Sequence, residues 1–184
     1  MLKLIKKVLK TGDVTVAYPA RPIDLAPNFR GKPEYNAQQC IACGACANAC
    51  PSNALTMTTA DDGSSVRWSL FLGRCIFCAR CEEVCPTAAI TLSQAFELSV
   101  WKKEDLFETA DFPICQCRKC GKPYAVQKEI DFALSLLQES AALSDPQLAA
   151  RRVQYETCPE CKKMHSLTSS DRIDIGRHLT TEAR

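Results

Sequence analysis

The sequence predicts an α+β chain whose central part is a pseudo-symmetric internal repeat. A run of four cysteines occurs twice with the same internal spacing, and a proline follows the fourth cysteine each time. Each run precedes a short stretch of β-prone residues. An amphipathic helix comes before the repeat, and a mainly helical, cysteine-rich extension follows it. We therefore expect three parts, which are residues 1–35, 36–98 and 99–184.

The composition excludes several classes of protein. The 184 residues carry a formal net charge of +2 with mixed signs, so the charge gives no reason to expect nucleic-acid binding. The 13 cysteines are an odd number, and a fully paired disulfide framework would leave one over. Neither the unbroken apolar core of an export signal nor a run of about eighteen apolar residues is found. These features predict a reducing setting in which thiolates bind metal.

The N-terminal segment predicts a short amphipathic helix followed by an extended arm. One helix face carries the apolar residues, and lysines flank it; the apolar residues are Leu2, Ile5, Val8 and Leu9. Residues 13–38 contain four prolines and little periodicity, which suggests the arm. A helix of about three turns is marginal alone, so we expect a partner surface. That surface is an anionic bilayer or a groove on a membrane subunit, and packing on its own domain is the ordinary alternative.

The two cysteine runs predict two [4Fe–4S] clusters. The first run, "CIACGACANACPSNAL", supplies Cys40, Cys43, Cys46 and Cys50. The second run, "CIFCARCEEVCPTAAI", supplies Cys75, Cys78, Cys81 and Cys85. Three cysteines spaced by two residues wrap one face of an iron–sulfur cube, and the fourth points away from it. This is the bacterial two-cluster ferredoxin run, in which the fourth cysteine binds the other cluster.

This crossover predicts the ligands of each cluster. Cluster A is expected on Cys40, Cys43, Cys46 and Cys85. Cluster B is expected on Cys75, Cys78, Cys81 and Cys50. The proline after each fourth cysteine has no N–H to satisfy, so it ends the short helix and redirects the chain. Two zinc sites are the alternative, although zinc knuckles usually pair two C-x2-C units. Strands are expected in "ALTMTT", "VRWSLFL" and "AITLS", with a turn at "DDGSS".

The C-terminal extension predicts one further metal site. Four thiolates for a tetrahedral ion come from two C-x2-C pairs, namely Cys117, Cys120, Cys158 and Cys161. The segment between the pairs predicts a helix over "YAVQKEIDFALSLLQESAAL" and a second through "QLAARRVQYE", and a helical hairpin would join the pairs. We expect Asp145 to cap the second helix, with Pro146 as its first residue.

The identity of this metal has a preferred answer and three alternatives. Zinc is preferred because sulfur-only tetrahedral sites suit it. A mononuclear iron, a third iron–sulfur cluster and five metal-free thiols are the alternatives. Cys115 is an alternative ligand, because C-x-C spacing lets it compete with Cys117. His165 is a weaker fifth candidate, and we expect both His165 and His178 to be surface residues rather than bases.

The sequence also resembles a known family. "LGRCIFCARCEEVCPTAAI", preceded by "NFRGKPE", is similar to the two-cluster iron–sulfur subunit of respiratory complex I and the related membrane-bound [NiFe] hydrogenases. Together with "VWKKEDL", "FAL" and "ETCPECK", it resembles more closely the iron–sulfur subunits of formate hydrogenlyase and hydrogenase-4, known as subunit 6 and component H. The resemblance does not separate those two.

The resemblance implies a non-catalytic electron-transfer subunit. Electrons from formate oxidation would pass through the two clusters toward a [NiFe] centre in another subunit. The implied partners are the hydrogenase large and small subunits, a further ferredoxin-like subunit and membrane subunits, at the cytoplasmic face of the inner membrane. No hydrogenase-type nickel-binding cysteine pair, G-x-G-x-x-G or P-loop occurs in the sequence. A complex I-type subunit, a free soluble ferredoxin and a zinc-binding interaction module remain alternatives.

Overall fold

The computed structural model describes residues 2–12, 14–141 and 144–170. The helices are α1 (Leu2–Thr11), α2 (Ala45–Ala49), α3 (Arg80–Val84), α4 (Gln127–Ala141), α5 (Asp145–Tyr155) and α6 (Pro159–Ser170). The strands are β1 (Pro33–Tyr35), β2 (Leu55–Thr59), β3 (Ser65–Phe71), β4 (Ile90–Leu92), β5 (Phe107–Gln116) and β6 (Pro123–Val126). The predicted mixture of helix and sheet is therefore confirmed.

The backbone of the two cysteine runs has the same conformation at positions 35 residues apart. The short helices α2 and α3 each follow a residue in the left-handed region, Gly44 with φ 74° and Ala79 with φ 67°. Each helix ends one residue before the fourth cysteine of its run, and that cysteine is its C-cap. Cys50 has φ −75° and ψ 110°, and Cys85 has φ −76° and ψ 113°. The backbone therefore enters and leaves the two short helices with nearly the same dihedral angles.

The strand pairs repeat with the same register. In the β1–β4 pair, Tyr35 lies opposite Ile90. In the β2–β3 pair, Leu70 lies opposite Leu55. Tyr35 and Leu70 are 35 residues apart, and so are Leu55 and Ile90. The β1–β4 pair is therefore equivalent to the β3–β2 pair, with Tyr35 corresponding to Leu70 and Ile90 to Leu55.

The core lies between these strand pairs. Trp68 and Leu70 on β3 are each 1% exposed, and Ile90 on β4 is 2% exposed. The Tyr35 ring stacks on Trp68, with 3.7 Å between the ring centroids and 11° between the planes. Cysteines from both runs pack against this core. Its apolar burial consequently fixes the positions of the cysteine loops.

Strand β5 joins the C-terminal extension to the repeat. It pairs with β3 from Ser65 opposite Pro113 to Phe71 opposite Phe107. Strand β6 then pairs with β5, so the sheet order is β2-β3-β5-β6. Neither strand is predicted from the sequence. The extension, described above as mainly helical, therefore begins with sheet, and that sheet crosses the predicted boundary between residues 98 and 99.

Two helix starts in the extension differ from the prediction. Helix α4 begins at Gln127 rather than at Tyr124, because residues 123–126 pair in the sheet. The prediction that Asp145 caps α5 is wrong. The cap is Ser144, whose backbone N–H donates to the Gln147 Oε1 at 3.1 Å in a capping box. Asp145 is instead the first residue of the helix.

Helix α1 forms as predicted and has no buried residue. Leu2 and Leu9 on its apolar face are 79% and 78% exposed. The described residues thus show no packing of α1 on the rest of the chain, which was the ordinary alternative. Across the same residues, none of the helices has the length and apolar character needed to cross a membrane.

The arm after α1 reaches the repeat through aromatic and backbone contacts. The rings of Tyr18 and Phe29 contact Phe96 at centroid distances of 5.6 Å and 6.3 Å. The Gly31 N–H donates to the Ser93 carbonyl at 2.8 Å. A side chain at Gly31 would collide with the Ala95 carbonyl, so glycine permits this close approach.

Candidate iron–sulfur and metal centres

Two cavities beside the core are lined by cysteines, and each contains about 360 Å³ of space free of protein atoms. Cavity A is lined by Cys40, Cys43, Cys46 and Cys85. Cavity B is lined by Cys50, Cys75, Cys78 and Cys81. Three cysteines in each cavity come from one run and the fourth comes from the other run. These are the two groups of four that the sequence analysis proposes as ligand sets.

The surroundings of these cysteines suit thiolates bound to a cationic group. Backbone N–H groups point at sulfur, as from Ala42 to the Cys40 Sγ at 3.3 Å and from Ala89 to the Cys85 Sγ at 3.2 Å. Burial raises the pKa of the Cys81 thiol to about 11. A bound cation would stabilise the charged form of such a thiolate. Four convergent cysteines in a largely apolar cavity therefore fit an iron–sulfur cluster.

The two fourth cysteines have matching hydroxyl partners. The Cys50 Sγ lies 3.6 Å from the Ser52 Oγ, and the Cys85 Sγ lies 3.8 Å from the Thr87 Oγ1. Burial opposes ionisation of Cys50, but the Ser52 hydroxyl and nearby backbone N–H groups outweigh it and lower its pKa. Burial likewise opposes ionisation of Cys85, and the Thr87 and Ala89 backbone N–H groups lower its pKa. Cys50 and Cys85 therefore both ionise more readily than an ordinary cysteine.

A third group of cysteines lies in the extension. The Sγ atoms of Cys117, Cys120, Cys158 and Cys161 all lie within 4.8 Å of one another. The Cys120 and Cys158 sulfurs are 3.7 Å apart. With metal–sulfur bonds of about 2.3 Å, a tetrahedral ion requires sulfurs about 3.8 Å apart. This spacing suits one ion, whereas an iron–sulfur cube would hold its four thiolates farther apart.

Hydrogen bonds shift the pKa values of two cysteines of this group in opposite directions. The Cys158 N–H donates to the Cys117 Sγ at 3.2 Å, and the Lys119 N–H donates to it at 3.4 Å. These bonds, led by the one from Cys158, lower the pKa of Cys117 to about 6. Hydrogen bonding to the Cys158 sulfur raises the pKa of Cys161 to about 12. Cys117 is therefore the more readily ionised of these two thiols, and a bound metal would displace the proton of Cys161.

The two weaker candidates lie outside this group. Cys115 is 8% exposed and packs against Ile130 and Leu134, and its thiol is directed at the Gln116 carbonyl at 3.6 Å. His165 is exposed on α6 and is absent from the four-sulfur group. His178 lies outside the described residues.

Sequence reasoning missed two aromatic residues of cavity A. The Trp68 Nε1–H donates to the Cys46 Sγ at 3.4 Å. The buried Tyr35 hydroxyl faces the side chain of Cys40. Neither residue belongs to a cysteine run, and the equivalent positions of the other half hold different residue types. Only the strand register shows that both side chains reach the cavity.

Comparison with known proteins finds relatives that carry the same type of domain. Residues 39–89 match the 4Fe-4S dicluster domain. The chain is 55% identical to formate hydrogenlyase subunit 6 of Escherichia coli (strain K12) over 179 residues, which cover 97% of this chain and 98% of that protein. It is also 37% identical to NADH-quinone oxidoreductase subunit I of Flavobacterium psychrophilum over 57 residues. These residues cover 28% of this chain and 31% of that protein. A solved structure of the membrane-bound sulfane sulfur reductase, an archaeal respiratory membrane complex, matches at a TM-score of 0.41 and 32% identity over 56% of each chain.

These relationships confirm two predictions, namely an iron–sulfur subunit of a larger oxidoreductase and a chain that carries electrons without being the enzyme. The identity to the Escherichia coli subunit extends through the C-terminal extension as well as the repeat. The chain therefore belongs to the family of formate hydrogenlyase subunit 6.

Proposed function

We propose that this chain relays electrons through two [4Fe–4S] clusters toward a [NiFe] hydrogenase subunit of a membrane-associated, formate hydrogenlyase-type complex. Cluster A is held by Cys40, Cys43, Cys46 and Cys85, and cluster B by Cys50, Cys75, Cys78 and Cys81. The observation that carries the proposal is the mixed origin of the four cysteines around each cavity. Because each cavity borrows one cysteine from the other run, the two clusters lie close enough to exchange electrons without a diffusing carrier.

The protein's own residues hold and insulate the clusters. Bound iron–sulfur clusters supply one-electron storage, and the fold fixes their spacing. Trp68, Leu70 and Ile90 exclude water from the space between the cysteine loops. The described residues offer hydrogen bonds to sulfur from backbone N–H groups, which stabilise the added negative charge when a cluster is reduced.

Iron analysis and electron paramagnetic resonance (EPR) test the proposal. Protein purified anaerobically should contain about eight irons and eight sulfides per chain. The fully reduced protein should show signals broadened by spin–spin interaction between two neighbouring clusters. About four irons per chain, or zinc in place of iron in the repeat, would contradict the proposal.

The four-cysteine group of the extension is proposed as a structural zinc site. Its support is the sulfur separation, which fits a single tetrahedral ion. A mononuclear iron would fit the same sulfurs. The ion would connect the loop after β5 to the start of α6. It would thereby fix the conformation of the surface that contacts a neighbouring subunit.

The partners proposed for the chain are the hydrogenase large and small subunits, a further ferredoxin-like subunit and membrane subunits. Their support is the family relationship to formate hydrogenlyase subunit 6. The exposed apolar face of α1 supports a peripheral position on a membrane, and the position proposed is the cytoplasmic face of the inner membrane. Purification of the native complex and identification of its subunits tests this set of partners directly.

A further inference from the structure

The walls of the two cavities differ at two positions that the strand register makes equivalent. Cavity A is lined by Tyr35 and Trp68. Cavity B is lined by Leu70, which is 35 residues after Tyr35, and by Pro33, which is 35 residues before Trp68. The two cavities have equal volumes and equivalent cysteines. Cavity A therefore has two polar aromatic side chains where cavity B has two apolar ones.

Both aromatic residues of cavity A direct a donor toward sulfur. The Trp68 Nε1–H lies 3.4 Å from the Cys46 Sγ. The Tyr35 hydroxyl is fully buried and faces the Cys40 side chain, and no other hydrogen-bond partner reaches it among the described residues. Because the two rings are stacked, each holds the other in place. A buried hydroxyl needs an acceptor, and the Cys40 sulfur, a proposed ligand of cluster A, is the acceptor that it faces.

The remaining donors to sulfur occur in both halves and so do not distinguish the cavities. The hydroxyls of Ser52 and Thr87 lie at matching distances from their cysteines. Backbone N–H groups at equivalent positions also reach sulfur in both loops, as at Ala42 and Phe77. Leu70 and Pro33 have no N–H or O–H in their side chains and are fully buried. The asymmetry between the cavities therefore comes from Tyr35 and Trp68.

We infer that Tyr35 and Trp68 make cluster A the more easily reduced of the two clusters, so that a single electron entering the subunit rests on cluster A. A donor directed at a sulfur ligand stabilises the extra negative charge of the reduced state and raises the reduction potential. Inside a buried wall this interaction is not weakened by water. The inference rests on the proposed function, since it concerns the clusters that the two cavities would hold.

One charged residue opposes this asymmetry. Arg80 lines cavity B, and its positive charge would favour reduction of cluster B. Its Nη1 is paired with the Glu83 Oε2 at 2.6 Å, and the two side chains are 57% and 54% exposed. The neighbouring carboxylate and the surrounding water therefore screen the arginine charge. The two buried donors of cavity A should outweigh it.

The test is an EPR-monitored redox titration of the full-length, cluster-loaded protein. The unsubstituted protein should show two separate midpoint potentials. Trp68→Phe and Tyr35→Phe keep the stacked rings and remove one donor each. Each variant should lower only the higher midpoint, reducing the equilibrium constant for that step about tenfold, or ~59 mV for one electron. The iron content and the lower midpoint of both aromatic variants should stay unchanged. The control Arg80→Gln should shift the lower midpoint, and by less than either aromatic variant shifts the higher one.

Several outcomes would overturn the inference. They are equal midpoints in the unsubstituted protein, a shift of the lower midpoint by Trp68→Phe, or no shift with either aromatic variant. A chain that carries no clusters at all would instead overturn the proposed function, and the inference with it.

A second measurement needs no substitution and covers the case in which the variants lose iron. Tryptophan labelled with 15N in the indole ring gives the chain two labels, and one of them, at Trp101, is fully exposed. Pulsed EPR of the half-reduced protein should detect 15N coupling from Trp68 to the cluster that is reduced first. Coupling that arises only after the second cluster is reduced, or no coupling, would overturn the inference.

Discussion

Arg118 and Glu156 join the two halves of the four-cysteine group by a side-chain ion pair and a backbone hydrogen bond. The Arg118 guanidinium contacts the Glu156 carboxylate, and the Arg118 N–H donates to the Glu156 carbonyl at 3.1 Å. Arg152 contacts the same carboxylate at 3.2 Å. Only about 10% of the Glu156 side chain is exposed. One carboxylate thus connects the loop of the first cysteine pair to the end of α5, just before the second pair.

The first prediction concerns this carboxylate. Glu156→Gln should destabilise the full chain by about 1–2 kcal/mol, because a mostly buried charge with two arginine partners is lost. It should also speed removal of metal from the extension by a chelator. The control Glu160→Gln breaks the ion pair with Lys122, which joins the same segments but is exposed on both sides. Denaturant unfolding and chelation kinetics of the two variants measure the difference, and equal behaviour would contradict the prediction.

The second prediction separates the ligands of the extension from the remaining thiol. Cys158→Ser should reduce the zinc content from about one ion per chain to near zero, because a tetrahedral site needs all four thiolates. Cys115→Ala should keep the zinc and cost only about 1 kcal/mol, since Cys115 packs in a small core with Ile130 and Leu134. Elemental analysis of the full-length variants gives both results. Zinc loss in Cys115→Ala would identify Cys115 as a ligand.

Full-length protein is required for this measurement. A fragment that starts near residue 100 would contain β5 without β3, its partner from Phe107 to Pro113. Such a fragment would expose the edge of β5 and the Phe112 side chain, which is 3% exposed in the complete chain. Its failure to fold would therefore say nothing about the metal.

The elements that the sequence predicted well are those set by local spacing. Helices α2 and α3 end directly before the fourth cysteine of each run, as the proline after that cysteine predicts. The grouping of Cys120 with Cys158 also came from a local pattern, the C-x2-C pair, although thirty-seven residues separate the two pairs.

The elements that the sequence did not predict depend on distant partners. The sequence of β5 is charged, contains Pro113 and shows weak alternation of apolar and polar residues. It forms a strand because its backbone pairs with the edge of β3. Across that pair, Arg67 bonds to Asp111 at 2.7 Å, a contact between residues 44 positions apart. Trp68 reaches Cys46 for a similar reason, since only the folded register brings β3 against the first cysteine loop.

The third prediction tests the crossover by pairing substitutions. If Cys85 binds cluster A, the double variant Cys40→Ala with Cys85→Ala damages one cluster and should keep about four irons. The double variant Cys75→Ala with Cys85→Ala damages both clusters and should retain almost none. Iron analysis and EPR of the two proteins distinguish these outcomes. The reverse pattern would mean that each run supplies all four ligands of its own cluster.

The fourth prediction concerns α1, whose apolar face is exposed and whose flanks carry lysines without any acidic residue. We expect this helix to lie in the surface of an anionic bilayer, with the apolar side chains among the acyl chains and the lysines near the lipid headgroups. Deletion of residues 2–10 should release the subunit from anionic vesicles and leave the iron content unchanged, because α1 contributes no buried residue to the cluster region.

Single substitutions make this test sharper. Ile5→Asp or Val8→Asp should weaken vesicle binding about tenfold or more, because each removes the burial of one apolar side chain, worth about 1.5–3 kcal/mol. Ser140→Asp places the same charge on an exposed position of α4 and should leave binding unchanged. Raising the salt concentration should weaken the unsubstituted protein's binding, since lysine attraction to anionic lipid is screened. Equal binding to neutral and anionic vesicles would contradict the bilayer prediction. An absence of vesicle binding, together with loss of the membrane subunits from the native complex on deleting residues 2–10, would place the helix in a protein groove instead.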